Sequence, residues 1–272
     1  MESFVDGILY NKNKNRFEQI KEKAAGFTNQ FRGNNIIQDD IFSAIENYAR
    51  TKEMPLEWVR LPIDDQELCA CTFIRGGRIF VMLNSGLPLS KQIFAAAHEL
   101  YHIRCFLEED DSELAQNGSI LDAKTIDAGT TEEEEMEANA FAGLLLASVD
   151  YMLQQIRIFG IDKDRIGIDD ILTLMDIFAI PYKAMVLRLL EEGLIDESKV
   201  KELISIPGDE INKRIKITGK AKRWSLVPVG TEKLGSIMEY IDDNRENEIL
   251  PESRIKSDVD RLEAIKKRYG IE

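Results

Sequence analysis

Two histidines four residues apart constrain this chain more than any other feature of its sequence. His98 and His102 are the only histidines among 272 residues, and they enclose a glutamate in the pattern His98-Glu99-Leu100-Tyr101-His102. Residues four apart on an α-helix share one face, so both imidazoles can reach one Zn²⁺ at about 2.0–2.1 Å. Glu99 is rotated by about 100° and can accept a proton from a water molecule at the metal. The pattern predicts a metal site, with a structural pair of helical histidines as the alternative.

The sequence around this pattern favours a helix. Pro88 can open it, because the N–H that proline lacks has no partner in the first turn of a helix. Apolar residues then continue at helical spacing to about Phe106, at Ile93, Phe94, Ala97, Tyr101 and Cys105.

The segment before this helix changes from a helical period to a period of two. An amphipathic helix is expected from Ile41 to about Lys52, followed by short strands at 58–61, 68–74 and 79–84. Arg75-Gly76-Gly77-Arg78 predicts a tight hairpin, because paired glycines supply positive φ. The three strands are therefore expected to form an antiparallel meander.

A catalytic zinc needs a third protein ligand and an open position. Cys105 shares the face of the two histidines but lies one turn beyond His102, so a buried apolar role explains it better. A long acidic connection, 108–127, leads to a second helix that Thr130 and Thr131 are expected to cap.

The first turn of this second helix is rich in glutamate. Most of these side chains fit a solvated face that favours the helix dipole. Glu135 lies at the edge of the buried face, beside Ala138, so it is preferred as a ligand, and Glu134 and Glu137 stay open as alternatives. Asn139, one turn later, could hydrogen-bond the free nitrogen of a metal-bound histidine.

These residues together resemble the ImmA/IrrE family of metallopeptidases. The shared pattern is His98-Glu99-x-x-His102 followed by Glu135-x-x-Ala138-Asn139-x-Phe141-Ala142-x-x-Leu145-Leu146, and the resemblance extends over about Ile41 to Leu194. It implies an α+β fold with a zincin-like core, in which a small antiparallel sheet packs on the metal helix and a helical bundle follows. It also implies that Glu135 is the third zinc ligand. The chain departs from the family at Tyr101, usually glycine, and at Ala147, usually proline.

The resemblance implies a zinc-dependent endopeptidase in which Glu99 is the general base. Its protein substrate would be a DNA-binding helix-turn-helix repressor in a stress or mobile-element circuit. The strand at 79–84 is a candidate edge for an extended substrate, and Tyr182, Tyr48 and Arg188 stay open as donors to the transition state. The alternative is a non-proteolytic regulatory interaction module with a structural zinc site.

The chain is expected to have three parts. They are an N-terminal extension (1–36), a metallopeptidase domain with a helical C-terminal part (37–196) and a small C-terminal α+β domain of unknown role (207–272). In the last part, Ile215–Ile217 and Trp224–Pro228 are expected to form a hairpin around Gly219.

The net charge of −14 is concentrated in one segment. Residues 106–137 carry 12 acidic residues and one lysine, so the rest of the chain is nearly neutral. Six basic residues form a local patch, which the solvated face of a hairpin explains better than direct nucleic-acid binding does; the six are Lys213, Arg214, Lys216, Lys220, Lys222 and Arg223. Three cysteines, no signal peptide and no membrane-spanning stretch predict a cytoplasmic protein.

Overall fold

A computed structural model describes residues 7–30, 36–65, 67–109, 113–123, 125, 130 and 132–271. The helices described are α1 (Leu9–Lys12), α2 (Lys14–Gln30), α3 (Ile41–Thr51), α4 (Leu89–Glu108), α5 (Glu113–Asn117), α6 (Glu133–Leu146), α7 (Val149–Ile158), α8 (Ile168–Phe178), α9 (Tyr182–Glu191), α10 (Glu197–Ile204), α11 (Gly208–Thr218), α12 (Lys222–Ser225), α13 (Ile237–Glu246) and α14 (Glu252–Tyr269). The strands are β1 (Leu56–Leu61), β2 (Leu68–Arg75), β3 (Arg78–Asn84), β4 (Ser119–Asp122) and β5 (Lys233–Leu234). The mixed α+β class predicted from the sequence is confirmed.

The sheet has the order β4-β2-β3-β1-β5. β2 and β3 form the predicted antiparallel hairpin, and Gly76 and Gly77 adopt φ of 58° and 71° at its turn. β1 pairs with the other edge of β3 in parallel, with Trp58 opposite Val81. The predicted antiparallel meander is therefore wrong: β2 occupies one edge of β3, so β1 must join the other, and there it runs in the same direction as β3.

The acidic connection contains structure that the sequence did not predict. α5 and β4 lie within it, and β4 pairs antiparallel with β2 at the edge of the sheet. A strand of four residues is too short to show a clear alternation of apolar and polar side chains, so β4 could not be recognised among the acidic residues around it. Part of the connection, including Asp110, Asp111 and Asp127, lies outside the described residues.

The start of α6 also differs from the prediction. Glu132 is its N-cap residue and makes no side-chain capping bond. Thr130 instead accepts a hydrogen bond from Glu132 N through its hydroxyl, before the helix begins. Thr130 is therefore not the cap, and Thr131 lies outside the described residues.

Helix α4, which contains both histidines, lies at the centre of the fold. It packs on β2, α3 and α6, and its core residues from Ile93 to Ile103 are almost fully buried. α2 packs against α6 from the other side and is tied to it by the Arg16–Glu137 ion pair. Tyr101, one of the two residues that depart from the family pattern, donates its hydroxyl hydrogen to the same carboxylate. The N-terminal helix therefore supports the element that faces α4.

The C-terminal hairpin predicted around Gly219 is wrong. Ile215 belongs to α11, Trp224 belongs to α12, and Gly219 ends α11 with φ of 72°. Short β-branched runs fit a strand or a helix equally well. As a residue of α11, Ile215 is buried in the main hydrophobic core. The C-terminal part contributes one short strand, β5, which pairs with β1 in the main sheet. The three predicted domain boundaries stay predictions.

Half of the predicted basic patch is engaged with other groups. Arg214 pairs with Asp169, Lys220 donates to the Asp169 carbonyl, and Arg223 pairs with Asp39.

None of the helices in the described ranges combines the length and apolar character that crossing a bilayer requires.

Candidate metal centre

α4 brings the two histidines together inside the protein. The side chains of His98 and His102 are 0% and 4% exposed. Their Nε2 atoms lie 3.2 Å apart. If neither of these ring nitrogens carries a hydrogen, two lone pairs lie close together and repel each other. A cation or a proton between the nitrogens removes this repulsion.

α6 contributes the third group. Glu135 Oε2 lies 3.2 Å from His98 Nε2, and Glu135 Oε1 lies 3.4 Å from His102 Nε2. Of the glutamates left open by the sequence, Glu134 and Glu137 have other partners. Cys105 is buried at the end of the helix and is not part of the cluster.

The donor atoms fit a tetrahedral metal. Bonds of 2.0–2.1 Å at tetrahedral angles place neighbouring donors about 3.3–3.4 Å apart. The two Nε2 atoms lie 3.2 Å apart, Glu135 Oε2 lies 3.2 Å from that of His98, and Glu135 Oε1 lies 3.4 Å from that of His102. Two imidazole nitrogens and one carboxylate are also a donor set that Zn²⁺ accepts, so the described residues could hold this ion.

Both histidines are oriented by side chains of α6. His98 Nδ1 lies 3.0 Å from Asn139 Oδ1, and the Asn139 amide nitrogen donates to the Thr125 carbonyl at 3.1 Å. His102 Nδ1 lies 2.8 Å from Glu134 Oε1. A proton on each Nδ1 leaves each Nε2 lone pair free for a metal. The sequence suggested Asn139 for this task but missed Glu134, because nothing distinguishes it from its exposed neighbours in the first turn.

Glu99 is the most unusual side chain of the site. It is fully buried on the metal helix, and neither carboxylate oxygen has a hydrogen-bond partner among the described residues. Leaving a carboxylate buried without partners costs free energy unless another group completes its environment. The two orphaned oxygens therefore indicate that a metal, water or substrate belongs beside Glu99.

The electrostatics of the cluster favour a cation. Burial lowers the pKa of His102, but hydrogen bonds to Glu134 and Glu135 outweigh burial and raise it to about 10. Burial raises the pKa of Glu135, yet its contacts with His102 and His98 hold it well below its ordinary value. Without a metal, a proton on His102 supplies the positive charge that the carboxylates attract.

The three residues proposed as transition-state donors have their own partners. Tyr182 donates its hydroxyl hydrogen to the Leu203 carbonyl at 3.4 Å. Arg188 is buried and pairs with two glutamates of its own helix. Tyr48 is fully buried and packs edge-to-face on Phe27. These contacts fit structural roles, and a part in catalysis stays a prediction for each.

An open cleft of about 350 Å³ lies beside the cluster. β4 forms one wall, and the first turn of α6 forms the other. His102 and Glu135 are reached from this cleft, and its acidic lining residues are Asp122, Glu132, Glu134 and Glu135. The edge strand of the sheet therefore runs beside the candidate metal centre.

Comparison with known proteins identifies the family of this chain. A family model described as Peptidase_M78, IrrE N-terminal-like domain, matches residues 51–190, which include His98, His102 and Glu135. No curated protein matches the chain.

Proposed function

Since the chain belongs to the M78 peptidase family through its IrrE N-terminal-like domain, we propose that it is a zinc-dependent endopeptidase. The observation that carries this proposal is the convergence of two histidine nitrogens and a glutamate beside the orphaned carboxylate of Glu99. A purely structural metal site would not need this additional buried acid. The non-proteolytic alternative therefore leaves Glu99 without an explanation.

Zn²⁺ would be held by His98, His102 and Glu135. When bound, it would act as a Lewis acid that polarises a peptide carbonyl and lowers the pKa of a water molecule. Asn139 and Glu134 keep both ring nitrogens aimed at the ion. Glu134 adds a negative charge that makes His102 a stronger donor.

Glu99 is the proposed general base. Its oxygens, which have no hydrogen-bond partner among the described residues, can accept a proton from the attacking water, and Glu99 lies on the same helix as both histidines, next to His98 in the sequence. The same carboxyl group then returns the proton to the nitrogen of the leaving amine. Burial keeps bulk water away from the carboxylate during this transfer.

The substrate would bind in an extended form along β4. The prediction that β3 offers this edge is wrong, because β3 lies between β2 and β1 in the sheet. β4 is an edge strand and also a wall of the cleft, so main-chain hydrogen bonds to it would bring a peptide past the metal centre.

The proposed substrate is a DNA-binding helix-turn-helix repressor. The acidic side chains Asp122, Glu132 and Glu134 line the cleft, and segments that bind DNA are rich in Lys and Arg. Charge complementarity therefore favours a basic peptide over an acidic one. A stress or mobile-element circuit would be the setting that the family resemblance implies.

A comparison of Glu99→Gln with the wild-type protein tests the proposal. Each protein is co-expressed with the helix-turn-helix regulators encoded nearby, and the regulators are examined for cleavage by mass spectrometry. We expect cleavage by the wild type and by Glu133→Gln, a matched surface control, and none by Glu99→Gln. Glu99→Gln should still bind zinc and the regulator. Cleavage by Glu99→Gln at the wild-type rate would refute the assignment, and derepression without cleavage would favour the non-proteolytic module.

A further inference from the structure

A chain of hydrogen bonds joins the edge strand to the metal centre. Asp122, the last residue of β4, accepts hydrogen bonds through Oδ1 from the Thr125 amide at 2.7 Å and from the Thr125 hydroxyl at 2.9 Å. The Thr125 carbonyl accepts from Asn139 Nδ2 at 3.1 Å. Asn139 Oδ1 lies 3.0 Å from His98 Nδ1. No other residue is needed to connect Asp122 with His98.

Each link of this chain restricts the next one. A carbonyl oxygen can only accept a hydrogen bond, so the Thr125 carbonyl selects the amide orientation in which Asn139 Nδ2 points toward it. Oδ1 then faces His98 and can also only accept, so the proton must be on His98 Nδ1. This tautomer leaves the Nε2 lone pair directed at Glu135, where the metal would lie.

We propose that Asp122 is a positioning residue for the metal centre. It fixes the Thr125 carbonyl, which fixes the Asn139 amide, which selects the metal-binding tautomer of His98. This inference rests on the proposed metal site. It also means that the strand along which a substrate would bind ends three residues before Thr125, whose carbonyl would align a metal ligand.

The two histidines are therefore supported in different ways. His102 contacts the carboxylate of Glu134 directly, and the side chain of Glu134 is 39% exposed. His98 is fully buried, and its Nδ1 contacts Asn139, whose amide donates to the Thr125 carbonyl. A change at Asp122 should therefore act on His98 and leave the contact between His102 and Glu134 intact.

The experiment measures zinc affinity by competition with a chromogenic chelator. Asp122→Ala removes the oxygen that accepts both hydrogen bonds, whereas Asp122→Asn keeps an Oδ1 that can accept from Thr125. Asp162→Ala is the matched control, because Asp162 accepts from the Asp164 amide in a similar turn between α7 and α8. We expect affinity to fall about three- to tenfold in Asp122→Ala, less than the 10–100-fold typical of a group in direct contact with a ligand. Asp122→Asn and Asp162→Ala should stay within twofold of the wild type.

A double-mutant cycle shows whether the effect passes through Asn139. In an Asn139→Ala background, Asp122→Ala should lower zinc affinity by less than a further twofold, because the chain of hydrogen bonds from Asp122 to His98 is already broken. An additive loss would overturn the proposal and make Asp122 an ordinary turn residue. Wild-type zinc affinity in Asp122→Ala would also overturn it.

The tautomer of His98 provides a readout that needs neither activity nor metal. The protein has two histidines, so ¹⁵N–¹H correlation spectra contain two imidazole spin systems, and Asn139→Ala identifies that of His98. We expect a protonated Nδ1 in the wild type and a loss of that signal in Asp122→Ala. If the wild type binds no zinc, the proposed function is refuted. The spectrum still tests separately whether the hydrogen bonds that begin at Asp122 select the tautomer of His98. An unchanged His98 signal in Asp122→Ala would refute it.

Discussion

Replacing Arg188 by methionine should destabilise the fold without disabling the chemistry. The Arg188 side chain is 1% exposed and donates to Glu191 at 2.5 Å, to Glu192 at 2.6 Å and to the Ala147 carbonyl at 3.2 Å. Methionine fills a similar volume but leaves the two carboxylates, each 7% exposed, without their main partner. Breaking a buried ion pair by removing one partner costs about 3–5 kcal/mol. At roughly 2–3 °C per kcal/mol in a chain of this size, the melting temperature should fall by about 6–15 °C.

The loss of stability in Arg188→Met should depend on pH. Burial raises the pKa of Glu192, but Arg188 and Lys21 outweigh burial and hold it below its ordinary value. Burial raises the pKa of Glu191 above its ordinary value. Without Arg188 the pKa values of both glutamates rise. At a pH between the pKa of these groups in the unfolded chain and their raised pKa in the folded variant, the folded variant therefore binds more protons than the unfolded chain. Stability then falls as pH rises, and the deficit should be larger at pH 8 than at pH 5.

Thermal and urea denaturation at the two pH values measure this deficit. Arg188→Met combined with Glu191→Gln and Glu192→Gln should recover part of the lost stability, because no charge then stays buried alone. Zinc affinity of folded Arg188→Met should equal that of the wild type. A melting temperature within 2 °C of the wild type, or an equal deficit at both pH values, would refute the reasoning. A stable variant with a reduced kcat would instead favour the transition-state role for Arg188.

Four other variants and the addition of zinc give direct expectations. Glu134→Gln should weaken zinc binding about 10- to 30-fold in chelator competition because His102 loses a charged partner, whereas its exposed neighbour Glu133→Gln should have no effect. Gly143→Ala should destabilise the protein by about 1–3 kcal/mol, since a Cβ there would lie 2.9 Å from Arg188 Cδ. Gly26→Ala, in open space on α2, should instead stabilise by about 0.5–1 kcal/mol in the same denaturation assay. Zinc at 100 times its Kd should stabilise the wild type by about 2.7 kcal/mol, and His102→Gln should abolish the accompanying rise in melting temperature.

The central helices and the metal cluster could be predicted because their signals are local. The spacing of His98 and His102 fixes their common face, and the small residues near Glu135 identify the side of α6 that approaches α4. The strands of the hairpin carry clear alternation on both sides of a glycine pair. These features depend on neighbours within one or two turns of the same element.

The features that could not be predicted depend on contacts between distant segments. Nothing within β1 shows that it joins the far edge of β3 in parallel. β4 is recognisable only through its pairing with β2, and Ile215 could belong to a strand or to α11 until its packing is known. Glu134 and Asp122 resemble other acidic residues of the same segment, and only the contacts of each with His102 and Thr125 distinguish them.

The pairing of β5 with β1 has a consequence for the protein while it is being synthesised. Val59 lies opposite Leu234, so one edge of the sheet is completed by chain that leaves the ribosome much later. At 5–20 residues per second, the delay is roughly ten to thirty seconds. During that time the uncovered edge of β1 offers unpaired backbone groups to any neighbouring chain. A nonsense mutation between residues 207 and 232 would make this exposure permanent, and the shortened protein should be lost to aggregation or degradation.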